Sequence, residues 1–221
     1  MAEETHLPVR ERLLAAAAVL FYEQGIAATG IDSITKRAGV AKQSLYNHFA
    51  SKAELVAAYL QVRHQEWLDL YAKRLQAVTT PQAGVLAVFA AYQDHAERAY
   101  EHGFRGCGLL NAAAELPVGA DGRDIVRAHK EQVEQILHSH LQALFSDRHT
   151  VESLARHLAF LLEGAITRSG LEGSSACMQQ AAAMVRNGDV GRLFAVHGSY
   201  LQDWMLLETD YNWRVDSAQG G

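Results

Sequence analysis

The sequence predicts an all-α chain, a small N-terminal helical unit followed by a larger helical body, and three observations lead there. Only three prolines occur in 221 residues, no stretch alternates β-branched and polar residues, and apolar side chains recur at spacings of three and four. A hydrophobic content of 49% is enough to pack a substantial core.

The first helix runs from Val9 to a stop at Gly25, with Leu13, Ala17, Leu20 and Phe21 on one face. The second places Ile31, Ile34 and Ala38 on one stripe and Asp32, Lys36 and Arg37 on the other. Gly39 ends it, Val40 plugs the turn, and a short third helix covers about Ala41 to His48. Leu45 and Phe49 fall inward on that helix, leaving Lys42, Gln43, Tyr46 and Asn47 together outside. Lysine can reach guanine O6 and N7, and Gln or Asn can pair with adenine, so such a face suits a DNA major groove. A hairpin with a solvated polar face satisfies the same periodicity.

Ser51-Lys52-Ala53-Glu54 is a capping box that opens a long fourth helix, expected to reach about Gln76. Thr79-Thr80-Pro81 breaks the chain and starts another, carrying Leu86, Phe89 and Tyr92 to about Tyr100. Glycines 103, 106 and 108 imply a bent segment, Leu109 to Leu116 a short helix, and Pro117 to Asp124 a loop. Ile125, Val133, Ile136, Leu137, Leu141 and Leu144 mark a long amphipathic helix. Thr150 is the expected cap of the next, with Leu154, Leu158, Leu161 and Ala165, and Ser174 or Ser175 that of another, with Met178, Ala182 and Val185. A last helix is expected through Leu193, Val196, Tyr200, Leu201 and Trp204.

The run AGVAKQSLYNHFASKAELV closely resembles the DNA-binding signature of the TetR family of bacterial transcriptional regulators. Ala38, Gly39, Val40, Leu45, Tyr46, His48, Phe49, Lys52 and Leu55 stand at the family's fixed spacings. The resemblance covers roughly residues 7 to 67 and loosens beyond. Gly30 and Ala41 depart from it, replacing Ser or Thr at two N-caps. Gly there costs a few tenths of a kcal/mol and Ala about 1 kcal/mol, leaving the third helix's free N–H groups open to another acceptor, such as a phosphate oxygen.

The resemblance implies a helix-turn-helix DNA-binding domain over residues 7–67, with its motif at 29–48, and a helical ligand-binding and dimerisation domain over 68–221. It implies a homodimer that binds a palindromic double-stranded DNA operator and is released by a small-molecule effector of unknown identity, more in keeping with a repressor than an activator. Lys42, Gln43, Ser44, Tyr46 and Asn47 are the candidates for bases or adjoining phosphates, and Thr29, His48 and Lys52 for the backbone. Trp67, Tyr71, Phe89, Tyr92, Phe104, Cys107, Asn111, Glu115 and His129 are candidate ligand contacts, an apolar set with a few polar groups. The string from Gly106 to Glu115 resembles a segment that lies beside the ligand cavity in one TetR subgroup. The family's last two helices pack on their counterparts to make the dimer interface.

Charge and chemistry narrow the alternatives. The net charge is −5, yet residues 31–52 hold four basic side chains and one acidic, so positive charge collects where DNA would sit. No G-x-S-x-G, Walker loop, H-E-x-x-H or C-x-x-C occurs, so neither an enzyme nor a metal or cofactor site is expected. The eleven histidines lack i, i+4 pairing at His95 and His102 or at His138 and His140. Two cysteines, 107 and 177, make no disulfide framework, and a polar N-terminus with no membrane-length apolar run is expected of a cytoplasmic protein. The competing reading is a small-molecule or redox sensor, using Cys107, whose vestigial head contacts a protein partner.

Overall fold

Local signals set the limits of the first four helices. The structure, a computed structural model, describes residues 7–98 and 100–188. Helix α1 (Val9–Gln24) ends at Gly25, whose φ of 89° is open to glycine at little cost. Helix α2 (Ile31–Ala38) ends at Gly39 in the left-handed region, φ 64°. Arg12 adds a second closure there, donating to the carbonyls of Ala38 at 2.6 Å and Gly39 at 2.8 Å. Helix α3 (Lys42–His48) begins at Ala41 with no side-chain cap. Helix α4 (Lys52–Leu75) begins at Ser51, which accepts the Glu54 N–H at 3.1 Å, while the Glu54 carboxylate reaches back to Ala50 N at 2.7 Å.

The body follows as α5 (Pro81–Ala96), α6 (Gly108–Glu115), α7 (Asp121–Gln142), α8 (Arg148–Glu172) and α9 (Ala176–Asn187), so the described residues form nine helices and no strand. α1 packs on α2, α3 and α4; α4 packs on α5 and α7; α7 packs on α8 and α8 on α9. Residue 67 lies inside α4, so one helix of about 36 Å serves both head and body.

Several boundaries differ from expectation, each for a local reason. α5 stops at Ala96, four residues early, and leads into the bent segment. α7 starts at Asp121, inside the expected loop. Asp121 and Asp124 favour the positive end of that helix, and Gly122 permits a close approach, since a Cβ there would meet Leu116 Cδ1 at 2.7 Å. α8 is capped by Asp147 instead of Thr150, the carboxylate accepting both the N–H and the hydroxyl of Thr150. Ser175 precedes α9 but makes no cap bond, its backbone being at φ −81° and ψ 1° instead of the extended conformation of a cap; its hydroxyl donates to Glu97 at 2.7 Å and accepts from Gln179 at 3.2 Å. The helix expected over 193–204 lies outside the described residues.

Candidate nucleic-acid interface and effector site

On α3, Leu45 and Phe49 are 0% and 1% exposed. Burial of these two rings and branches fixes the rotation of the helix, so Lys42, Gln43, Tyr46, Asn47 and His48 are exposed and Ser44 is half-buried. Three of these outer side chains already have partners. Lys42 Nζ lies 2.9 Å from an Asp32 carboxylate oxygen, which raises the lysine's pKa through that hydrogen bond, and Gln43 Nε2 donates to Asn47 Oδ1 at 3.2 Å. All four groups remain open to solvent, where such pairs exchange partners at little cost.

Two of the backbone-contact candidates are held differently from expectation. Thr29 is 0% exposed, and its hydroxyl lies 2.6 Å from the Gly25 carbonyl and 3.1 Å from that of Leu20. Its side chain staples the end of α1 and presents nothing to a phosphate. Lys52 is half-buried and donates to the Ile26 carbonyl at 2.6 Å, which anchors the ammonium beside the α1–α2 connection.

The effector candidates divide into three groups. Trp67, Tyr92, Cys107 and His129 converge on one small void of about 10 Å³, room for about one water. Tyr71 stacks on Trp67 with centroids 5.7 Å apart and bonds His140 at 2.7 Å, and Phe104 packs edge-on to His95; Phe89 is fully buried core. Asn111 and Glu115 do not line the void. Asn111 donates to the Arg105 carbonyl at 3.0 Å, and Glu115 accepts the main-chain N–H groups of Ile26 and Ala27.

Around the void the histidine and tyrosine side chains are linked to one another. His129 Nδ1 lies 2.8 Å from His64 Nδ1, and its Nε2 lies 3.3 Å from the Tyr92 hydroxyl. Burial, then nearby Lys130, pushes the His129 pKa down to about 3, and burial, then Arg63, does the same for His95. The Tyr92 phenol is pushed up to about 12 by burial. Cys107 is buried.

Sequence reasoning missed the groups that join head to body, because they lie between 64 and 84 residues apart. The Tyr22 hydroxyl donates to the Gly106 carbonyl at 3.1 Å and accepts the Arg105 N–H at 2.5 Å, while the Arg105 guanidinium donates to the carbonyls of Tyr22 and Glu23. Arg37 of α2 pairs with Glu101. Glycine spacing alone signalled that residues 103–108 approach another backbone; Gly170 confirms it, since a Cβ there would meet Gly106 Cα at 2.5 Å.

Among the described residues no group of three or more His, Cys, Asp or Glu could hold a metal ion. No described helix is long and apolar enough to cross a membrane.

Residues 13–59 match the family model described as bacterial regulatory proteins, tetR family. The HTH-type transcriptional activator FasR of Mycolicibacterium smegmatis is 38% identical over 88 residues, 40% of each chain. The HTH-type transcriptional repressor KstR2 of the same organism is 33% identical over 104 residues, 40% of this chain and 50% of that one. The chain thus spans half or less of the length of these relatives. Among solved structures, a TetR-family transcriptional regulator from Streptomyces coelicolor superposes with a TM-score of 0.74 at 28% identity, over 81% of this chain and 93% of that one. A TetR transcriptional regulator from Chloroflexus aurantiacus, at 24% identity and a TM-score of 0.71, shares the fold.

Proposed function

From a chain that belongs to the tetR family of bacterial regulatory proteins, we propose a homodimeric, ligand-responsive repressor that binds a palindromic operator. The observation that carries this reading is the exposed Lys42, Gln43, Tyr46 and Asn47 face, held on a helix whose opposite side is buried. In the major groove these side chains exchange their mutual bonds for base edges and phosphates. His48 and the half-buried Ser44 lie beside them, and Lys52 sets the start of α4. FasR is named as an activator and KstR2 as a repressor, so the sign of regulation rests on the proposal.

Dimerisation is supported by α8 and α9. Phe160 is 64% exposed beside Leu161, Gly164 and Ala165, and a groove of about 490 Å³ runs from these residues to Ala181 and Met184. An apolar face with small residues suits close helix packing on a two-fold axis. Two heads so related would read half-sites about 34–36 Å apart.

Ligand response is supported by the bonds from Arg105, Gly106 and Glu115 to α1 and its following loop. The same stretch carries Cys107, Gly108 and Leu109 on the wall of the void. A ligand that binds one arrangement of this stretch better than another shifts the heads and lowers operator affinity by their coupling free energy, typically about 1–3 kcal/mol. The test against a head that serves a protein partner is salt. Operator affinity measured by fluorescence anisotropy should fall steeply and linearly with log salt; binding to DNA that ignores salt contradicts the proposal.

A further inference from the structure

Asp32 of α2 and Lys42 of α3 meet across the turn between the two helices, carboxylate oxygen to ammonium at 2.9 Å. Asp32 is the one acidic side chain between residues 29 and 48, where Lys36, Arg37 and Lys42 are the basic ones. Its side chain is 82% exposed. Lys42 belongs to the outer face of α3 with Gln43, Tyr46 and Asn47, so Asp32 brings a negative charge from α2 onto that face. A carboxylate turned toward phosphates weakens binding to DNA of any sequence. Its presence at this point needs a separate reason.

Helix stability supplies only part of one. Asp32 stands in the first turn of α2, where a negative charge suits the positive end of the helix, but that role does not require a lysine from another helix. The chemistry of the pair supplies the rest. An ammonium has three N–H donors, and among the described residues the ion-pair partner of Lys42 is Asp32 alone. One donor held by the carboxylate leaves two, and guanine offers two acceptors in the major groove, O6 and N7. A phosphate gains less from such a lysine, because the charge it would neutralise already has a partner. In open water the exposed pair is weak. Between protein and DNA, where water is displaced, the attraction within it strengthens.

We propose that Asp32 is a positioning residue that holds Lys42 toward guanine and away from phosphate, and so sets base specificity at the cost of general affinity. At a guanine all three ammonium donors are satisfied, one by Asp32 and two by the base. At any other sequence Lys42 finds fewer acceptors within its held range, and it reaches a phosphate only by leaving the Asp32 carboxylate unpaired among phosphates. Discrimination of this kind comes from penalising the wrong complexes as much as from favouring the right one. The inference rests on the regulator reading above, since it needs α3 in a major groove.

The test joins two measurements on the full chain, selection from a random double-stranded pool and anisotropy titration of a labelled short duplex of random sequence. Asp32→Ala removes both the acceptor and the charge from an exposed helical position. It should still enrich a palindrome, but with guanine preference reduced threefold or more at one position of each half-site. Its affinity for the random-sequence duplex should rise at least threefold, and the slope against log salt should steepen by about 0.9 per head, the change due to one further phosphate contact. In a Lys42→Ala background, Asp32→Ala should alter neither that affinity nor its slope. A gain that persists without Lys42 overturns the inference, because it assigns the effect to repulsion between the carboxylate and phosphates. A palindrome that Asp32→Ala leaves intact at every position also overturns it, while keeping the regulator reading. No palindrome from the folded, unaltered chain removes both.

Discussion

The Glu115 carboxylate at the end of α6 accepts the main-chain N–H of Ala27 at 2.7 Å, tying the body to the loop that leads into α2. Its other oxygen accepts from Ile26 at 3.1 Å. The fit is close, since a Cβ on Gly25 would lie 2.6 Å from that carboxylate. Removing it frees two N–H groups at once. Glu115→Ala should cost about 1–2 kcal/mol and speed amide exchange at Ile26 and Ala27. Unchanged exchange at both positions would show that the tie carries no strain between head and body.

Thr29 shows how a motif match and a structure can part. The resemblance places it near the DNA backbone, but its hydroxyl is enclosed by the carbonyls of Leu20 and Gly25. Thr29→Val should lower stability by about 1–2 kcal/mol and leave operator affinity unchanged when measured well below the unfolding temperature. A large loss of affinity in a folded protein would restore the phosphate contact.

What could be read from the sequence was local. Gly39, Ser51 with Glu54, and Leu45 with Phe49 act within one turn of themselves, so spacing located the two short helices, their exposed face and the start of α4, and the family resemblance identified the motif. Asp147 displaced Thr150 as the α8 cap because both residues can cap and only the packed helix selects one. The roles of Arg12, Arg63, Arg105 and Glu115 depend on partners brought together by the fold. No periodicity encodes them, which is why Glu115 reads as a cavity residue in the sequence and acts as a tie in the structure. Among the aromatic candidates, Trp67 and Tyr92 pack together beside the void, but apolar type and helical register could not distinguish a void from the packed position of Phe89.

The α8–α9 face supplies a separate prediction. Phe160→Glu puts a charge at the centre of the proposed two-fold interface, where truncation or desolvation of an anchor costs about 2–4 kcal/mol. Sedimentation should show a folded monomer at concentrations where the unaltered chain is a dimer. A dimer of unchanged strength would move the interface elsewhere.

His129 sets an acid limit. Its pKa is about 3 in the folded chain against 6.5 unfolded, lowered by burial first, with Lys130, His64 and His95 adding to it. The unfolded chain therefore binds more protons below 6.5, so stability is full above that pH and lost progressively between 6.5 and 3. Each such histidine contributes at most about 1.4 kcal/mol per pH unit. Urea midpoints should fall from pH 7 to pH 5, and His129→Gln, although less stable at pH 7, should show a shallower fall. Equal slopes would mean that His129 titrates normally in the fold.

Sequence-specific DNA binding through α3 is the central property of a regulator of this design. The direct measurement is selection from a random double-stranded DNA pool with the purified full chain, repeated with Lys42→Ala and Tyr46→Ala. The account predicts an enriched palindrome with half-sites one helical turn apart, lost in both variants while each remains a folded dimer. No enriched sequence at low salt from a folded dimer, or a palindrome retained by both variants, would contradict it.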